Sequence, residues 1–221
     1  MDAVILAGGQ ATRLRGVVDG PKCLVPIRGR PVLDHLIAYL RGAGVHRITI
    51  AAGVQGATVA AHVRRHYAPD AVRVLVEPTA LGTAGALHHW RADLPARFVV
   101  VNGDTLLEGS LAGLWAYHGQ TGAAVTLAVV RGSGAEFGRV AADAVPGWAS
   151  AFLEKQPGPG WRSAGALVLE RRLLDGWREV RSLERQVLPS LAATGQLGVY
   201  PFARMTDIGT PERLLAVEAR S

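Results

Sequence analysis

Apolar and polar positions along this chain follow two rhythms. In the first half, continuous apolar runs take turns with stretches of helical spacing. Ala3-Val4-Ile5-Leu6-Ala7 is the first run, and it stops at Gly8-Gly9. A short run without polar alternation predicts a strand covered on both faces. Pro31 to Leu40 has the spacing of an amphipathic helix, with Pro31 suited to its first turn and Gly42 and Gly44 to its end. Arg47 to Ala52 predicts a second strand, the residues around Ala57 to Tyr67 a second helix, and Val72 to Val76 a third strand. After a loop from Glu77 to Gly82, Thr83 to Trp90 opens another helix. Phe98 to Val101 is a fourth, wholly apolar strand running into Asn102-Gly103-Asp104. This alternation predicts a parallel α/β sheet with right-handed crossovers, and ligands then sit beyond the carboxyl ends of the strands. Gly8-Gly9 and Asp104 both fall at such ends.

The second half changes pace. Val125 to Val130, Gly138 to Ala142, Ala149 to Glu154 and Ala164 to Leu169 predict strands with short connections, and Pro157 to Gly160 a mobile loop. Ser182 to Ala193 reads as a helix capped by Ser182 with Glu184 in its first turn. Leu197 to Phe202 predicts a short strand leading to Asp207, and Thr210-Pro211-Glu212 opens a last helix. Repeats, low-complexity tracts and linkers are absent from the sequence, which predicts one domain with two lobes over residues 1–221.

Composition narrows the function classes. With 221 residues the chain can bury a sizeable core. No run of eighteen apolar residues occurs, so no membrane span is expected. Acidic Asp2 and the lack of a basic leader argue against a signal peptide and for a cytoplasmic protein. The lone cysteine, Cys23, excludes an internal disulfide and a cysteine-based zinc cluster. The net charge of +6 is spread along the chain without basic runs or interleaved aromatics, so no nucleic-acid partner is expected. Almost all basic residues are Arg; Lys22 and Lys155 are the two lysines, and each falls in a motif.

Candidate chemistry gathers at few places. Gly8 and Gly9 let the backbone approach a ligand, and Thr12, Arg13, Arg15 and Lys22 supply donors suited to nucleotide phosphates. Neither the G-x-G-x-x-G nor the G-K-[ST] pattern is present, and a plain strand-to-helix turn is the alternative. Asp104 and Asp207 each follow a strand; they read either as caps or as two carboxylates holding one Mg²⁺. Gly82 would let a flat base lie on the backbone, while Thr83 also reads as an ordinary helix cap. Glu77 could accept hydrogen bonds from guanine N1–H and its amine, though alone it reads first as a solvated loop residue. Glu154-Lys155 offers a point charge for a phosphate, or a surface ion pair. Gly138, Ser163 and Gly165 mark places where a sugar ring could lie close to backbone. His88-His89 has the wrong spacing for one metal-binding face, and the tryptophans read as packing, with Trp161 a candidate lid.

Taken in order, L-A-G-G-x-x-T-R-L, P-K, L-G-T-A-G-A, V-N-G-D, F-G-x-V, F-x-E-K, A-G and D-I-G-T-P-E resemble the sugar-1-phosphate nucleotidyltransferases along almost the whole chain. R-G-V-V-x-x-x-P-K, V-N-G-D-T and S-L-E-x-x-x-L-P are most like their D-glycero-D-manno-heptose 1-phosphate guanylyltransferase branch. The resemblance implies a Rossmann-like, GT-A-type α/β/α sandwich with a mixed, mainly parallel central sheet. It implies a nucleotide-binding half over about 1–120 and a sugar-phosphate half over about 121–221. By the same resemblance, Leu6, Gly8, Gly9, Thr12, Glu77, Gly82 and Thr83 would hold the nucleotide, with Arg13 and Lys22 catalytic. Asp104 and Asp207 would bind Mg²⁺, and Gly138, Glu154, Lys155, Ser163 and Gly165 would hold the sugar phosphate. The implied reaction joins GTP to a heptose 1-phosphate with release of pyrophosphate. UTP or dTTP with a hexose phosphate, GTP with an octose phosphate, and a non-catalytic nucleotide-binding regulator remain the alternatives; family likeness also allows a homodimer. Two positions depart from the family's pattern: Ala11 stands where Gly is usual, and Ser163 where Asn is usual.

Overall fold

The computed structural model describes residues 1–9, 20–53, 55–134 and 136–218. In chain order the first elements are β1 (Asp2–Ala7), β2 (Pro26–Ile27), β3 (Arg30–Pro31), α1 (Val32–Gly42), β4 (Arg47–Ala52), α2 (Gly56–His66) and β5 (Val72–Val76). Then come α3 (Thr83–His89), β6 (Arg97–Asn102), β7 (Thr105–Glu108), α4 (Leu111–Thr121), β8 (Val125–Gly132), β9 (Arg139–Ala141) and β10 (Gly147–Trp148). The chain closes with β11 (Ala151–Leu153), β12 (Gly160–Glu170), α5 (Leu188–Ala193), β13 (Leu197–Pro201), β14 (Arg204–Asp207) and α6 (Pro211–Glu218). The fold is α/β, with a mixed, mainly parallel central sheet. Among the described residues no helix is long and apolar enough to cross a membrane.

The chain gathers into two compact units. Met1–Leu81, Val101–Leu107 and Thr206–Ser221 make the first, and Gly82–Val100 with Glu108–Met205 the second. In the first unit β4 lies between β1 and β5, all parallel, with Asp2 opposite Arg47 through to Ala7 opposite Ala52. β1 is buried through its middle and β4 through most of its length, as a parallel sheet covered by helices requires, while Arg73 of β5 donates to the Thr49 hydroxyl of β4 at 3.0 Å. Helix α1 starts after Pro31 and turns Val32, Leu33, Leu36, Ile37 and Leu40 into the core. Helix α2 buries Val59 and Val63, four residues apart, and carries Arg64, Arg65 and His66 in its last turn, where cations offset the helix dipole. Between β2 and β3, Arg28 and Gly29 both take positive φ, as a two-residue hairpin turn requires.

In the second unit β8 is flanked by antiparallel β12 and parallel β13, and β10 adds to β13. β9 pairs with both β11 and β12. β12 is longer than the apolar pattern predicts, because it begins at Gly160 and changes register between Ser163 and Leu167. Gly165 sits inside that irregularity at φ +73°, as an extra residue in a strand demands. Helix α4 was not predicted by the pattern. Ser110 caps it by accepting from the Gly113 N–H, and Gly122 ends it in the left-handed region. The helix predicted from Ser182 to Ala193 is two pieces, a π turn over Leu183–Val187 and then α5. Ser182 does cap it, accepting from the Arg185 N–H.

Candidate functional site

The first unit brings three of the predicted residues together. Pro21 precedes a single 3-10 turn, Lys22–Leu24, whose middle residue Cys23 is buried. Burial pushes the Cys23 thiol up to about 12, so it remains a neutral anchor beneath the lysine. That anchor aims Lys22 at Asp104, which lies two residues past β6, and its ammonium donates to Asp104 Oδ2. The same Nζ lies 3.8 Å from Asp207 Oδ2. Asp104 Oδ1 accepts from the Thr105 hydroxyl at 3.1 Å, and its main-chain carbonyl accepts from the Ile208 N–H at 3.1 Å. The second bond ties the end of β6 to the residue that follows Asp207. Asp207 Oδ1 accepts from the Gly209 N–H and from Arg213 Nη1, each at 2.8 Å. Two carboxylates, 31% and 11% exposed, thus share one ammonium that is 15% exposed. Partial desolvation strengthens this attraction well beyond that of a surface pair. Arg213 was missed in the sequence; its place on the first turns of α6, six residues after Asp207, is the signal that could have found it.

Gly8 and Gly9 lie just past β1, as predicted. A methyl at Gly8 would come within 2.9 Å of Glu77 Oε1, so a side chain there would displace that carboxylate. Gly9 is exposed, and among the described residues a methyl there would meet nothing within 4 Å. Beneath the turn, a methyl on Gly53 would press within 2.7 Å of the Gly8 carbonyl oxygen. Leu6 contributes its carbonyl, which accepts from the Gly103 N–H at 2.9 Å. Glu77 is not the solvated loop residue that its position suggests. It is only 9% exposed, and its Oε2 accepts from the Leu81 N–H at 3.1 Å, closing the loop after β5. Thr12, Arg13 and Arg15 lie outside the described residues.

The second unit holds the remaining predicted residues. Gly82 precedes α3 at φ +78°, and a methyl there would run into the Arg181 carbonyl. Glycine is therefore required here by the Arg181 backbone. Thr83 does not cap α3. Its hydroxyl donates to Glu184 at 3.0 Å and accepts from the Leu183 N–H at 2.9 Å, joining α3 to the π turn. Gly138 is filled by the Phe152 ring, with no room for a side chain of its own. Its carbonyl accepts from the Ser163 N–H at 2.9 Å, and the Ser163 hydroxyl accepts from the Gly165 N–H at 3.3 Å. Gly138, Ser163 and Gly165 are therefore one hydrogen-bonded patch. Glu154 and Lys155 follow β11. Burial, and then the Glu184 carboxylate, raise the Glu154 carboxyl above its ordinary value. Lys155 is exposed and takes φ +55°, rare for a residue with a side chain. Trp161 is part of β12, with the Arg131 guanidinium 4.0 Å from its ring centroid. The Pro157–Gly160 loop, predicted to be mobile, is held by the buried Arg162, whose guanidinium donates to Gln156 O at 2.6 Å and to Gly158 O. His88 Nδ1 is engaged with Leu174 O at 2.7 Å, consistent with a packing role.

Comparison with known proteins gives the family. The chain is 35% identical to the mannose-1-phosphate guanylyltransferase of Mycobacterium tuberculosis, over 96% of this chain and 62% of that protein. It is 31% identical to the D-glycero-alpha-D-manno-heptose 1-phosphate guanylyltransferase of Aneurinibacillus thermoaerophilus, over 58% of this chain and 57% of that protein. The chain thus spans about three fifths of the length of these curated relatives. A crystal structure of HddC from Yersinia pseudotuberculosis complexed with GMP-PN superposes with a TM-score of 0.82 at 27% identity, covering 98% of this chain and 97% of that one. The profile of the MobA-like NTP transferase domain matches residues 3–193, and the chain belongs to that family.

Proposed function

We propose that this protein is a sugar-1-phosphate guanylyltransferase. The observation that carries the reading is the meeting of Lys22, Asp104 and Asp207 in one cluster. Support for guanine comes from the relatives named as guanylyltransferases and from the GMP-PN complex of HddC. The same two relatives are named for mannose 1-phosphate and for a manno-configured heptose 1-phosphate. A manno-configured sugar 1-phosphate is therefore the proposed acceptor class, with the heptose first.

The donor set fits a hard divalent cation, and Mg²⁺ is the proposed one. Asp104 and Asp207 each bring a carboxylate oxygen to the same ammonium, whereas no group of three or more His, Cys, Asp or Glu among the described residues could hold a metal alone. Mg²⁺ suits such a site, because it binds one or two carboxylates and completes its shell with phosphate oxygens and water. Bound there, it supplies Lewis-acid neutralisation of phosphate charge.

The remaining roles belong to the chain. The backbone after β1, with Thr12 and Arg13, cradles the triphosphate. An acceptor phosphate oxygen attacks the α-phosphorus in line, and pyrophosphate leaves. The acceptor is already an anion, so no general base is required, and the protein contributes positioning and charge stabilisation. Lys22 supplies a fixed positive charge beside the reacting phosphates, and Lys155 supplies one for the acceptor phosphate. Release of pyrophosphate, measured for the four common nucleoside triphosphates against heptose, mannose and glucose 1-phosphates with Mg²⁺, tests the reading. GTP with a manno-configured acceptor is expected to give the highest kcat/KM. Preference for UTP or dTTP, or binding without pyrophosphate release, would reject it.

A further inference from the structure

Arg162 lies outside every motif in the sequence, yet it is the largest fully buried side chain, at 1% exposed. Burying a guanidinium without a carboxylate partner is costly. Among the described residues Arg162 has no ion pair, and its Nε is buried without an acceptor. Within hydrogen-bond reach its charge is met by main-chain carbonyls, with the Glu136 carboxylate acting from further off. Nη1 donates to Gln156 O at 2.6 Å and to Phe137 O at 3.4 Å, and Nη2 donates to Gly158 O. A planar fork is what can serve carbonyls on two segments at once.

Those two segments are the ones that carry the candidate acceptor residues. Phe137 adjoins Gly138, whose carbonyl takes the Ser163 N–H. Gln156 adjoins Lys155, which stands at φ +55°. A side-chain-bearing residue keeps such a conformation only where its surroundings impose it. Residues 154–159 pair with no strand, so the carbonyl contacts of Arg162 are a principal restraint on this stretch.

We propose that Arg162 is a positioning residue for the acceptor phosphate: it clips the 137–138 and 156–158 segments together and thereby presents Lys155. This rests on the reading that Lys155 contacts that phosphate. Lysine at 162 cannot form the fork, and methionine fills the space without charge.

A double-mutant cycle on the full chain tests it. Lys155→Ala and Arg162→Met should each raise KM for the sugar 1-phosphate about tenfold, within the range of coupled neighbours. KM for GTP should move less than about twofold, and Arg162→Met should add nothing in the Lys155→Ala background. Hydrogen exchange gives a readout independent of catalysis. Amides of 155–160 should exchange faster in Arg162→Lys, a variant that keeps the charge, while the β8 amides stay protected. Unchanged exchange at 155–160, or an Arg162→Met penalty of equal size with and without Lys155, would overturn the proposal. An unchanged acceptor KM in Lys155→Ala alone would remove Lys155 from the acceptor site, and the positioning role with it; the exchange result would still report separately whether the clip exists.

Discussion

Lys22 sits between two acids that would repel one another without it. The ammonium satisfies Asp104 directly and lies close to Asp207, whose other oxygen is held by Gly209 and Arg213. Lys22→Met should therefore act twice. It should lower kcat/KM about 100- to 1000-fold, the usual loss when one charge-stabilising donor is removed. It should also destabilise the metal-free protein by about 1 kcal/mol, because the carboxylates lose their counter-charge. Added Mg²⁺ should then raise the melting temperature of the variant more than that of the parent. Equal metal-induced shifts would show that the cation does not bind at these oxygens. At this scale the sequence was informative where a residue's role follows from its neighbours in the chain. Lys22, Asp104 and Asp207 stood out as polar residues in or beside strand-end motifs. Arg162 and Arg213 did not, and the burial of the candidate Glu77 was hidden, since burial of Glu77 and Arg162 and the reach of Arg213 depend on contacts distant in sequence.

Among the elements, β4 and β5 have the bounds that the sequence predicts, because each is a short run dominated by apolar and β-branched residues. Helix α4 was hidden for the opposite reason. Its sequence contains two glycines, and one position on its buried face is His118 where an apolar residue is usual. His118 is 2% exposed, with Nδ1 2.8 Å from the Thr126 hydroxyl. Burial, then the Arg97 guanidinium, hold its imidazole below the ordinary value of 6.5, against the opposing pull of Glu170. The folded state thus prefers the neutral ring. Its contribution is complete above pH 6.5 and is lost as the pH falls below that value, where the unfolded chain takes up a proton first. His118→Asn, which can keep the bond to Thr126, should cost about 1 kcal/mol near pH 7.5. The gap in melting temperature between variant and parent should close toward pH 5. A gap that stays constant over this interval would mean that His118 does not carry the acid sensitivity.

Charge is a property of the whole molecule. The chain carries +6 and its proposed substrates are polyanions, so association should be assisted by long-range attraction. Raising NaCl from about 0.05 to about 0.5 M shortens the screening length severalfold. It should raise KM for the triphosphate more than it alters kcat. Insensitivity of KM would mean that the net charge acts on solubility rather than on substrate capture. The α/β class, and a family resemblance running through most of the chain, were legible in the sequence because strand runs, turn glycines and strand-end acids recur in a fixed order. The gathering of segments far apart in sequence was not. Residues from Val101–Leu107 and Thr206–Ser221 join the unit formed by Met1–Leu81, and only tertiary contact reveals that grouping.

Gly53 touches no proposed substrate, yet it lies directly under Gly8, with no room between them for a single carbon. A lesion here would masquerade as a defect of chemistry. Gly53→Ala should lift the phosphate turn from below, weakening triphosphate capture about tenfold or more while leaving a cooperative melt. Genetic variation at this hidden floor would therefore impair the proposed activity without altering any residue at its visible rim.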